Sequence, residues 1–181
     1  MLKKFSVSIL SLVCLALLAQ SAVAAASQYR KIDAKGMANM IFSTSAIGLG
    51  QEDQAELKET FEQGDPIYGR VYFPKPFGAL RPGEKVHYDL WIDDQFVART
   101  LLGTINPAWD TIQLYLIGTG NDNFDSSYFE SLPTGEHKFR LYLVRDKFLK
   151  TKKTLQDGVR VQEDVYVPVY LSEGKINYVI P

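Results

Sequence analysis

Apolar and polar residues alternate along this chain in short runs, and the period is two rather than 3.6. In residues 67–73, Ile67, Val71 and Phe73 fall on one side with Gly69, and Tyr68, Arg70 and Tyr72 on the other. In residues 86–92, Val86, Tyr88, Leu90 and Ile92 oppose His87, Asp89 and Trp91. Ile112, Leu114 and Leu116 oppose Gln113, Tyr115 and Ile117, and Phe139, Leu141 and Leu143 oppose Lys138, Arg140, Tyr142 and Val144. In the last long run, Val165, Val167, Val169 and Leu171 oppose Tyr166, Pro168 and Tyr170. Side chains alternate between the two faces of a strand, so each run predicts a strand with one aliphatic, core-facing side. The same reading gives strands at 40–45, 96–102 and 176–180. Only 52–62, charged throughout, is open between a helical turn and an edge strand.

The runs are separated by Gly64-Asp65-Pro66, Arg81-Pro82-Gly83, Asp93-Asp94-Gln95 and a polar loop at 118–127. Short strands with turn signals at this spacing predict an all-β chain, an antiparallel β-sandwich of about 7–9 strands. The segment Leu132-Pro133-Thr134-Gly135-Glu136-His137, leading into an alternating strand, resembles the turn before a late strand of immunoglobulin-like sandwiches. That resemblance spans about a dozen residues and implies an immunoglobulin-like version of the fold.

The N-terminus reads differently. Lys3 and Lys4 precede an apolar run over 5–18, and small residues close it at 21–26. This is the pattern of a Sec-type signal peptide over 1–26, with too short an apolar run for a membrane span. Residues 27–38 are polar and aperiodic and read as a flexible lead-in, and 39–181 as a single domain. The location expected is the periplasm or the exterior of a bacterial cell. Cys14, the one cysteine, lies inside the signal, so disulfides, thiolate metal sites and thiol catalysis are not expected of the mature chain.

The chain has 20 Lys and Arg against 21 Asp and Glu, and subtracting Lys3 and Lys4 leaves 18 basic residues. Nucleic-acid binding would call for a basic excess. Two histidines, His87 and His137, are too few for a usual zinc site, and no cofactor motif is present. The calcium-like stretch Asn121–Asp125 lacks the central Gly and closing Glu of an EF-hand loop, and no Gly-x-Ser-x-Gly elbow occurs. Mid-strand Arg70, Asp89 and Arg140 argue against a lipid-facing barrel.

The polar strand faces interleave tyrosine and tryptophan with charge. Were the strands at 86–92, 111–117 and 138–144 to share a sheet, Trp91, Tyr115, Arg140 and Tyr142 would form one binding patch. Aromatics on a solvated sheet also stabilise it through cross-strand pairs, without any ligand. Pro168 marks the last long strand as partly an edge, where Tyr166 and Tyr170 could meet another chain in an oligomer. The expectation is a non-enzymatic binding or structural module of the cell envelope, its partner another envelope protein or a glycan. The alternative is an envelope hydrolase acting on polysaccharide or cell-wall material.

Overall fold

The computed structural model describes residues 28–157 and 159–181; the signal peptide expected at 1–26, with Cys14, lies outside the described residues. The fold is all-β. Its strands are β1 (Ala38–Ser43), β2 (Thr60–Glu62), β3 (Ile67–Tyr72), β4 (Lys85–Ile92), β5 (Gln95–Leu101), β6 (Thr111–Ile117), β7 (Gly135–Gln156) and β8 (Val159–Ile180). A 3-10 turn at Glu52–Gln54 precedes β2, so the ambiguous charged stretch holds both a helical turn and a strand. A short helix, α1 (Ser127–Glu130), lies within the region read as loop and turn.

All eight strands join one sheet in the order β5-β4-β7-β8-β1-β3-β6, with β2 on β8. This differs from two separate antiparallel sheets, and the reason is the length of β8. Its C-terminal half pairs antiparallel with β7 on one side and parallel with β1 and β2 on the other. The aliphatic faces read from the sequence are nonetheless the core. Tyr88, Leu90, Leu141 and Leu143 from one end of the sheet cluster with Phe42, Val71, Leu114 and Leu116 from the other. The sheet therefore folds over so that both ends share one apolar interior, whose burial contributes roughly 25 cal/mol per Å². Across that fold the Tyr88 hydroxyl donates to the Gln113 carbonyl at 3.5 Å, and the Thr100 hydroxyl to that of Asn123.

Two glycines let β1 seat against its neighbours. Phe42 pairs directly with Gly69 on β3. A Cβ on Gly69 would stand 3.1 Å from the Phe42 ring, and one on Gly174 of β8 would stand 2.5 Å from it. The ring occupies the slot that these missing side chains leave.

β4 is buried on both faces, which the alternation did not predict. His87 and Asp89 on its second face are 0% and 3% exposed. The reason is that β4 lies between β5 and β7, and Arg99 of β5 closes over it, donating to Asp89 through Nε at 2.7 Å and Nη2 at 2.8 Å. Tyr72 is likewise buried rather than outward, its hydroxyl donating to the buried Glu52 at 2.8 Å.

The lead-in read as flexible makes contacts of its own. Arg30 donates to the Phe73 carbonyl at 2.8 Å and pairs with Asp110 at 2.7 Å, Tyr29 packs on Tyr72, and Ile32 bridges to Ala38. At the opposite extreme, β7 and β8 run on as a two-stranded ribbon. The β4 ladder stops at Asp146 and the β1 ladder begins at Ser172, so residues 147–156 and 159–167 ladder only with each other, and near the base Phe148 and Tyr166 still touch the 81–84 loop. Ten residues of strand project roughly 30 Å. This basic stretch is regular strand, with exposed Lys147, Lys150, Lys152 and Lys153 on it. Lysines on an open edge discourage pairing with other chains. Arg145, at the base, is instead tied to Glu84 through Nε at 3.2 Å and Nη2 at 2.5 Å. Burial would raise the Glu84 pKa. Donation from the Arg81 backbone, from Arg145 and from the Phe148 backbone outweighs it and holds that carboxyl down at about 2.

Candidate functional site

The outer face of β4, β7 and β8 carries the candidate site. Trp91 and Arg140 are directly opposite across β4 and β7, and Tyr142 is opposite Asp89 on one side and Glu173 on the other. A β-bulge between Leu143 and Val144 shifts the register and sets Tyr170 opposite Val144. There the Tyr170 ring meets Tyr142 edge-on, centroids 5.2 Å apart. Lys35 and Met37 of the lead-in complete the wall of a cavity of about 700 Å³ lined also by Trp91, Asp94, Arg140, Tyr142 and Tyr170.

Three of the four residues proposed from the sequence thus come together. Tyr115 does not. It sits on β6, at the far end of the strand order, where it packs edge-on against Tyr68 at 6.0 Å. The three strands do share one sheet, but β6 pairs with β3 at the opposite end of the strand order and faces β4 only across the core. The contributions missed are Lys35, Met37, Asp94 and Tyr170. Tyr170 was visible as an edge tyrosine, but its approach to Tyr142 depends on a bulge that no sequence pattern marks.

The polar groups of the cavity are held in pairs. Arg140 Nη2 lies 3.1 Å from Asp94. The Tyr142 hydroxyl donates to Glu173 at 3.0 Å, and Lys175 pairs with the same carboxylate at 3.2 Å. Burial, and then the bond to Glu173, raise the Tyr142 pKa, so it remains a neutral donor. Trp91 packs edge-on against Phe96 at 5.6 Å, and its indole Nε1 is buried without a hydrogen-bond partner among the described residues. An indole N–H in that state is a donor awaiting an acceptor.

Asp93 and Asp94 form the two-residue turn between β4 and β5, with φ of 49° and 66°. Two positive φ angles are what a twist-compatible hairpin turn requires. Asp93 is anchored by accepting from the Lys138 backbone at 2.9 Å and from His137 Nδ1 at 2.7 Å. The other nitrogen of His137 is 2.8 Å from the Pro133 carbonyl. Both partners are acceptors, so the ring is held as a double donor. The bond to Asp93, then that to Pro133, raise its pKa, while the same bond lowers that of Asp93.

His87 is the opposite case. Its nitrogens lie 3.4 Å from Asp89 and 3.7 Å from Asp146, with no hydrogen bond to either. Burial, joined by the nearby Arg99 charge, lowers its pKa more than Asp89 and Asp146 raise it. The two histidines are far apart: His87 pairs with Val144 toward one end of the β4–β7 ladder, and His137 lies beyond its other end, paired with Tyr178 of β8. Among the described residues no group of three or more His, Cys, Asp or Glu gathers in a way that could hold a metal ion, and no helix is long and apolar enough to cross a membrane.

Compared with models of protein families, with curated proteins and with solved structures, the chain matches none.

Proposed function

We propose that this chain is an exported, non-enzymatic binding or structural module of the bacterial cell envelope, built on an immunoglobulin-like sandwich, and that its partner is another envelope protein or a glycan. The observation that carries the reading is the cavity on the β4-β7-β8 face, where Trp91, Arg140, Tyr142 and Tyr170 converge. Large rigid aromatics beside an arginine are the side chains that dominate recognition surfaces. Support for the sandwich is the single core shared by both ends of the sheet. Support for a non-catalytic role is that Asp94, which lines the cavity, and Glu173, bonded to Tyr142 behind it, are each engaged by a cation, Arg140 and Lys175.

The test is a pull-down from an envelope fraction with wild-type protein beside the Trp91→Ala/Tyr142→Ala double variant. Both residues are partly exposed, so the expected result is a melting temperature little changed and a partner captured by the wild type alone. A large loss of stability in the double variant, or equal capture by both proteins, overturns the assignment of this face.

A further inference from the structure

A second cavity, of about 430 Å³, lies at the far end of the sheet beside β6. Its polar floor is Arg70 of β3 and Gln113 of β6, which are direct cross-strand partners. Its walls include Leu102, Ile105 and Trp109 from the segment after β5. No Asp or Glu lines it.

The two floor residues are incompletely bonded in complementary ways. Arg70 Nη1 donates to the Thr111 hydroxyl at 3.2 Å, but Arg70 Nε is buried with no partner, and the guanidinium makes no ion pair among the described residues. Gln113 Nε2 donates to the Leu114 carbonyl at 3.3 Å, while its Oε1 is buried with no partner. The buried carboxylate of Glu52 makes its two bonds through Oε1, to the Tyr72 hydroxyl at 2.8 Å and the Gly50 backbone at 3.2 Å; its Oε2 is buried without a partner among the described residues, and it forms no ion pair with Arg70. A half-buried cation without a counter-ion is costly, and so is a buried acceptor without a donor. Both atoms are closed off as the side chains stand, so a ligand reaches them once the two side chains turn toward the cavity; one that carried a carboxylate next to an N–H would then relieve both.

We propose that this cavity binds the free carboxylate of an N-acylated apolar amino acid, the group that a peptide C-terminus presents. The carboxylate takes the fork of Arg70. The amide N–H one carbon away donates to Gln113 Oε1, within the 4.5–5.5 Å or so that separates cross-strand neighbours. The apolar side chain goes to the Leu102, Ile105 and Trp109 wall. This site is separate from the Trp91 cavity and stands or falls independently of it.

The probe is the dipeptide acetyl-Ala-Leu, as free acid and as C-terminal amide, titrated into the purified protein by calorimetry and by NMR of the Gln113 amide and Trp109 indole signals. The acid is expected to bind at least tenfold more tightly than the amide and to shift both signals. Arg70→Gln should erase that preference, and Arg70→Lys should keep part of it, because a lysine retains the charge without the fork. Gln113→Glu supplies the missing carboxylate from within the chain. It should raise the melting temperature and abolish binding of the acid. Equal affinity for acid and amide, no binding of either at millimolar concentration, or an acid preference that survives Arg70→Gln would each overturn the proposal. Should Arg70→Gln fail to fold, the acid–amide comparison on wild type and the Gln113→Glu variant still decide it.

Discussion

Gly174→Ala asks whether β1 is seated as described. The added methyl would lie 2.5 Å from Met40 Sδ and 2.5 and 2.8 Å from Phe42 Cζ and Cε2. Methionine can swing away, but the Phe42 ring cannot, because it is 4% exposed and Gly69 bounds its other side. Overpacking by one methyl in such a place costs about 1–3 kcal/mol. Removing a glycine from a strand returns about 0.5–1 kcal/mol through the unfolded chain. The net is a loss of roughly 1–2 kcal/mol, seen as a melting temperature lower by about 2–8 °C for a chain this long. Urea unfolding followed by circular dichroism checks it: the midpoint should fall with the slope unchanged. Gly69→Ala, whose methyl would approach to 3.0 Å from Leu114 and 3.1 Å from Phe42, should show the same effect more weakly. Phe42→Leu combined with Gly174→Ala should recover about 1 kcal/mol relative to the sum of the two single changes. An unchanged midpoint for Gly174→Ala, or strict additivity with Phe42→Leu, would refute the packing of β1 over β8.

The two histidines should tilt stability against pH in opposite directions. His137 has a folded pKa above its ordinary value near 6.5, so its contribution is full below that pH and fades as pH rises through the folded value. His87 has a folded pKa below 6.5, so its contribution is full above that pH and is lost as pH falls toward the depressed value. His137→Asn should therefore steepen the loss of stability between pH 7 and 5, and His87→Leu should flatten it, measured by melting temperature across buffers; identical profiles would show the environments to be misassigned. Asp94→Gly removes a non-glycine residue from φ 66° and should stabilise the protein by about 1 kcal/mol, since the exposed pair with Arg140 contributes little. A lower melting temperature in that variant would mean the Asp94–Arg140 pair matters more than the turn geometry.

What could be read from the sequence follows from how local each cause is. The period-two alternation is local, and it located the strands and their aliphatic faces. The Asp93-Asp94 turn is local, and the hairpin it closes is present. Pairing partners are not local. That Tyr115 stands away from Trp91 depends on β6 choosing β3, and that His87 is buried depends on Arg99 arriving from β5. Lys35 and Met37 come from a segment whose sequence has no periodicity, yet it helps to wall the cavity. The bulge that brings Tyr170 to Tyr142 is a single unpaired residue within a run of uniform alternation, which offers no pattern to detect.

β8 is the strand on which both ends of the sheet depend, and that has a consequence for how the chain is made. The Ser172 hydroxyl donates to the Ala38 carbonyl at 2.8 Å, joining residues 134 apart in sequence. Until residues 172–180 have been synthesised, β5-β4-β7 and β1-β3-β6 have no strand to link them, and each leaves its half of the interior facing water. Contacts this distant form late and slowly. The interior therefore closes only when this strand docks, and a substitution that weakens its pairing is expected to open both halves of the core together.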